Sequence, residues 1–186
     1  MFQDNSLMPK EAVRLAALGT LAQRETSYAQ LANEIRRLTS RFWGPTLEVM
    51  ATSIELLRFE GLMEVVDEND DPSLCITDNG MEALRDLLRA NIRVPLNDFN
   101  KLVLALKLRF LHVLPVEEQR DQADSMVELR QSELVRLLDL RQQQDSDCLF
   151  DAWLDHDITQ VECDLAWFEA LRDKIGTIQS SPTFGQ

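Results

Sequence analysis

Apolar residues recur along this chain at helical spacing, in blocks separated by short polar breaks. From Pro9 to Leu21 the residues Ala12, Val13, Ala16, Ala17 and Leu21 share one helix face, with Pro9 at a first-turn position. The stretch Arg24-Glu25-Thr26-Ser27 interrupts the pattern, and Thr26 or Ser27 can cap a second helix that carries Tyr28, Leu31, Ile35 and Leu38 and ends near Thr39. After Phe42-Trp43-Gly44-Pro45 a third helical pattern holds Val49, Met50, Ile54, Leu57 and Phe59, and Gly61 stands where a left-handed cap belongs.

The period then changes. Leu62 to Val66 and Ser73 to Thr77 read as two strands flanking the loop Asp67 to Pro72. Three short helices followed by a hairpin predict a winged helix-turn-helix with a two-stranded wing. Thr77 or Asp78 can cap a fourth helix through Met81, Leu84, Leu87, Leu88 and Ile92, stopped before Pro95. Residues Asp98 to Leu114 are apolar on nearly every side, which predicts a helix buried on several faces and broken at Pro115.

A long polar helix is expected from Glu117 to about Gln144, with Met126, Val127, Leu134, Leu137 and Leu138 toward a partner. A last helix repeats Ile158, Val161, Leu165, Phe168, Leu171 and Ile175 in steps of three and four, the spacing of a heptad seam. The fold class is therefore mainly α. A winged helix over 1–93 is followed by an extended helical dimerisation domain over 94–178, and a Ser-, Pro- and Gly-containing tail over 179–186 is expected to be flexible.

Composition narrows the class. With 186 residues, 45% apolar and 27% charged, the chain is long enough for a core and has the make-up of a globular protein. No apolar run approaches the roughly 20 residues needed to cross a bilayer, and the first residues lack the basic-then-apolar order of a signal peptide, so no membrane contact and a cytoplasmic location are expected. Cys75, Cys148 and Cys163 are far apart and form neither a disulfide framework nor a zinc-ligand pattern.

Several short segments carry a resemblance: Ala17-Leu18-Gly19, Tyr28 through Ile35, Phe42-Trp43-Gly44-Pro45, Glu60-Gly61-Leu62, and Ile76-Thr77-Asp78-Asn79-Gly80 followed by Ala83-Leu84. In order and spacing they are similar to the winged helix of PadR-family transcriptional regulators. Asp98-Phe99 through Leu114-Pro115-Val116-Glu117-Glu118 and the final Asp164 to Ile175 resemble that family's longer C-terminal domain. The resemblance implies a transcriptional regulator, usually a repressor, that binds operator DNA as a homodimer whose C-terminal helices embrace the partner. Two-fold symmetry would double the contacts on a palindromic site.

It also implies where DNA contacts would lie. Tyr28, Arg36, Arg37 and Arg41 on helix two, and Thr46, Thr52, Ser53 and Arg58 on the recognition segment, are the candidates. Leu106, Phe110, Ile158, Val161, Leu165, Phe168 and Leu171 are the candidates for dimerisation. Because relatives hold aromatic ligands, Trp153, Trp167 and Phe168 are candidates for a small aromatic effector.

Charge qualifies the picture. The chain carries a net −13, whereas DNA affinity rests on Lys and Arg neutralising phosphates. Residues 1–45 hold six bases against four acids, but residues 46–80 hold Arg58 alone against nine acids. Thr46-Leu47-Glu48 stands where the family has a small-Pro-Gly turn, and Ala51 stands at a Tyr position. The alternative reading is a winged helix whose acidic wing contacts a protein partner instead of DNA.

Catalysis and cofactors are not expected. There is no phosphate loop, H-E-x-x-H or G-x-S-x-G, and the two histidines have no neighbouring nucleophile. His112 reads as a core or interface residue, and Asp151, Asp155, His156 and Asp157 read as a solvated helix face rather than a cation site.

Overall fold

The computed structural model describes residues 7–40, 54–66, 72–93, 96–143 and 148–175. The elements run α1 (Pro9–Gln23), β1 (Thr26–Ser27), α2 (Tyr28–Thr39), α3 (54–59), β2 (Met63–Val65), β3 (Ser73–Ile76), α4 (Asp78–Arg89), α5 (Asp98–Phe110), α6 (Val116–Gln143) and α7 (Cys148–Lys174). The expected helix, helix, helix, hairpin order is present. The sheet is larger than the hairpin alone, because β1 pairs with β3 and gives a three-stranded antiparallel order β1-β3-β2. A two-residue strand ahead of a helix leaves no period in the sequence to read.

Two compact units emerge, 1–114 and 115–186, so α5 belongs by its contacts to the first. In that unit α1 is the central element and packs on α2, α4, α5 and β3. It is suited to this place because Ala12, Ala16, Ala17 and Gly19 keep its surface narrow, and every residue from Leu15 to Leu21 is buried. Gly19 has a specific reason. A Cβ there would stand 2.5 Å from the Phe110 ring, so the aromatic ring of α5 lies directly on the backbone of α1. Pro9 opens α1 as expected, and the Glu11 carboxylate accepts from the Met8 backbone N–H at 2.6 Å.

Lys107 of α5 is 1% exposed, and its Nζ donates to the Ala90 carbonyl just past the end of α4. Burial pushes its pKa down to about 8. The ammonium thus holds α5 to a helix C-terminus, where orphan carbonyls and the helix dipole favour a cation.

The second unit is a helical hairpin. Ala123, Met126 and Val127 of α6 and Leu154, Ile158, Val161 and Phe168 of α7 are buried. Polar links run along the pair in antiparallel order: Arg120 donates to the Ile175 carbonyl, Arg172 meets Asp124 at 3.5 Å, Arg130 bonds Asp164, and Arg141 bonds Asp155 at 2.9 Å and Asp151 at 3.3 Å. No helix among the described residues is long and apolar enough to cross a membrane.

Candidate nucleic-acid interface

The wing is fixed at its base by the two short motifs noted in the sequence. Gly61 adopts φ +69°, the left-handed conformation that closes α3 and turns the chain into β2. The Thr77 hydroxyl donates to the Gly61 carbonyl at 2.7 Å and accepts from the Gly80 N–H at 3.1 Å, capping α4. Gly80 is required because a Cβ would lie 1.9 Å from the Leu62 carbonyl oxygen. Glu60 is gripped by both guanidinium nitrogens of Arg14, at 2.5 and 3.1 Å, which ties the end of α3 to α1. The turn into β2, the strand β3 and the start of α4 are thereby one rigid corner.

Of the candidate DNA contacts, Tyr28, Arg36, Arg37 and Arg58 lie in described elements, whereas Arg41, Thr46, Thr52 and Ser53 lie outside the described residues. Trp43 and the wing tip 67–71 lie outside them too. Tyr28 opens α2, half-buried, and burial together with the nearby Glu55 carboxylate raises its pKa. Ser27 occupies the cap position of α2 without a side-chain capping bond, and the Thr26 hydroxyl bonds Gln30 instead at 2.9 Å.

Arg36 is exposed and bonds Asn33 at 3.1 Å, while Arg37 bonds Glu34 at 2.6 and 3.1 Å. The two arginines diverge, as residues one apart on a helix must. Glu34 also meets Arg109 of α5 at 3.1 Å and feels Arg24, so its pKa is lowered, first by the Arg37 hydrogen bond. Arg24, Arg37 and Arg109 around one carboxylate make a positive cluster within an acidic chain. Sequence reasoning missed Arg24 and Arg109, since a basic residue at the end of an apolar helix gives no sign of what it faces.

Arg58 is exposed on α3, where Ile54 and Leu57 are buried. Phe59, read from the sequence as part of the apolar face, is 89% exposed. Two residues beyond Leu57 on a helix is about 200° round it, away from the core. Glu55 and Glu64 are exposed on α3 and β2, so the described part of the wing carries acids outward. Glu64 lies against the Cys75 thiol at 3.7 Å, and burial and this carboxylate raise the thiol pKa.

The candidate dimerisation residues fall into two groups. Leu106 and Phe110 are buried within the first unit, and Ile158, Val161 and Phe168 within the second, with Leu165 and Leu171 half-buried. Among the effector candidates, Trp153 stacks on Phe150 at 5.6 Å and Trp167 meets Phe168 edge-on at 5.0 Å. Both indoles are half-exposed, whereas Phe168 lies on the buried line of α7. His112, read from the sequence as a core or interface residue, is outside the core of this chain and exposed on a 3-10 turn after α5. Asp151 and Asp155 share Arg141, and no cluster able to hold a metal occurs among the described residues.

A family model described as "Putative AphA-like transcriptional regulator" matches residues 2–172. The chain belongs to this AphA-like family of transcriptional regulators. No curated protein matches it in sequence. Among solved structures it is similar to Bacillus subtilis PadR, at 18% identity and TM-score 0.41, covering 92% of this chain and 98% of that one. It is similar also to the same regulator in complex with operator DNA, at 19% identity and TM-score 0.38 over 88% and 98%. A PadR-like transcriptional regulator from Bacillus cereus resembles it at 16% identity and TM-score 0.37 over 89% and 98%.

Proposed function

We propose that this protein is a homodimeric transcriptional repressor that binds operator DNA through its winged helix, residues 1–93, and associates through residues 94–178. The observation that carries the reading is the rigid winged-helix corner in a chain of a transcriptional-regulator family. Tyr28, Arg36, Arg37 and Arg58 on described elements, with Arg41, Thr46, Thr52 and Ser53, would supply the contacts. The arginines would meet phosphates and the shorter polar side chains phosphates or base edges.

Fluorescence anisotropy against the DNA upstream of the protein's own gene tests it. Specific binding with a steep salt dependence is expected. No affinity for specific or random DNA at about 50 mM salt would overturn it.

A second reading is supported by the exposed Glu55 and Glu64 and by the surplus of acids over 46–80. In it the wing contacts a basic protein surface. Neutralising Glu64, Asp67, Glu68, Asp70 and Asp71 would then abolish capture of that partner while leaving the assembly intact. An unchanged capture profile rejects it. A small aromatic effector on Trp153, Trp167 and Phe168 would show as quenching of indole fluorescence on titration with small aromatic compounds.

A further inference from the structure

Glu34 of α2 is surrounded by more positive charge than one carboxylate can match. Its Oε1 accepts from Arg37 at 2.6 Å and from Arg109 of α5 at 3.1 Å, and its Oε2 accepts from Arg37 at 3.1 Å. Arg24, at the C-terminal cap of α1, acts on the same carboxylate through its charge. Three guanidinium groups from three elements thus gather on one acid, in a chain whose net charge is −13.

Stability does not account for the cluster. Exposed ion pairs contribute little, and like charges held close together repel. The Arg37 side chain is 69% exposed, and Arg24 is exposed. Among the described residues Arg37 and Arg109 bond no acceptor other than Glu34, and the Arg24 side chain bonds none, so most of their donors remain for a ligand. Arg109 is also held in place. Its guanidinium lies over the Phe110 ring, 5.6 Å from the centroid, and that ring rests on the backbone of Gly19.

The chemistry of the donors indicates the ligand. Arg37 and Arg109 must share Oε1, because a carboxylate has only two oxygens to offer. A terminal phosphate has three oxygens and carries up to two negative charges, so each guanidinium can take an oxygen of its own. A phosphodiester has a single charge and two free oxygens, and fits three guanidinium groups less well. The position points the same way. Glu34 and Arg37 stand about 120° and 180° round α2 from Tyr28, which lies near Glu55 of α3, so the cluster is on a different face from the one that meets the recognition helix. We propose that Arg24, Arg37 and Arg109 form a binding site for the terminal phosphate of a small phosphorylated molecule, with Glu34 as the resident anion that the phosphate displaces. The site is independent of the operator-binding reading and of any aromatic effector.

Titration of the full chain with inorganic phosphate and with glycerol phosphate tests it, at about pH 8, where both are dianions, and with ionic strength matched by chloride. The Arg37 and Arg109 Nε–H resonances in nitrogen-15 spectra are expected to shift and to saturate. Glu34→Gln is expected to tighten binding at least about threefold, an effect that damage to the fold would not produce. Arg24→Gln with Arg109→Gln is expected to abolish saturation, whereas Arg136→Gln, the same loss of charge on α6, leaves it unchanged. Absence of saturable shifts, or an affinity indifferent to Glu34→Gln and to the arginine pair, overturns the site. If the arginine pair weakens only DNA binding and neither phosphate compound moves the two resonances, the small-ligand site is overturned and the arginines belong to DNA. A chain that binds phosphate but no DNA loses the operator reading and keeps this site.

Discussion

The two compact units use apolar residues in different ways. In the first, α1 is surrounded on several sides, its small residues let neighbours approach its backbone, and even a lysine is enclosed. In the second, each helix has a single neighbour in the hairpin, one apolar line is buried, and arginine links fasten the rest. A helix packed on one side leaves its other faces to water or to a partner, and Val135, Leu138, Leu140, Leu149, Trp153 and Trp167 are exposed on α6 and α7, although Met8, Leu56, Phe59, Val65 and Val66 are exposed in the first unit as well. The first unit is specified by close fit. The second is specified by a seam and by polar register, and it leaves apolar surface available for association.

That contrast can be broken most forcefully in the first unit. Gly80→Ala drives a Cβ into the Leu62 carbonyl, and backbone cannot yield as a side chain can. A loss of about 3 kcal/mol or more is expected in urea denaturation, with the helical signal of the arm retained at intermediate denaturant. Loss of the whole fold in one step would mean that the units do not unfold separately.

Lys107 gives a test nearly as large. Its folded pKa of about 8 lies below the ordinary 10.5, so between these values the unfolded chain binds more protons and stability rises with pH. Below pH 8 the full penalty for the buried ammonium is present, on the order of 3 kcal/mol. Lys107→Met should remove this rise, and stability curves measured from pH 7 to 10.5 would show it. A parallel slope in both proteins would mean that the ammonium is solvated in the fold.

In the second unit Arg130 is enclosed, bonded to Glu133 at 2.8 Å and to Asp164. Arg130→Ala is expected to cost about 1–2 kcal/mol, and Arg130→Met, which keeps the stem packing, less. If both cost the same, the register of the hairpin rests on its apolar line alone. The smallest effect belongs to Glu34→Gln. Its exposed pairs contribute below about 1 kcal/mol to stability. Release of Arg37 and Arg109 should nevertheless strengthen DNA binding a few-fold at low salt and steepen the salt dependence.

Much of the fold was legible because helical period is a property of single segments. Pro9 opening α1, Gly61 in its left-handed cap, Thr77 capping α4 and the break at Pro115 follow from local backbone and capping chemistry. The candidate interface was less so. Arg37 was named from the sequence, but its sharing of Glu34 with Arg109 joins residues far apart in the chain.

The amino-acid sequence by itself determined where the helices and the wing stand, which of their residues are apolar, and that α7 carries apolar residues at heptad spacing. Only the tertiary structure decided which line of α7 meets α6 and which is left exposed, that Phe110 rests on Gly19, that β1 joins the wing, and that His112 and Phe59 face water. The physical reason is that period specifies a face, whereas the neighbour that covers a face is chosen by contacts between residues distant in sequence.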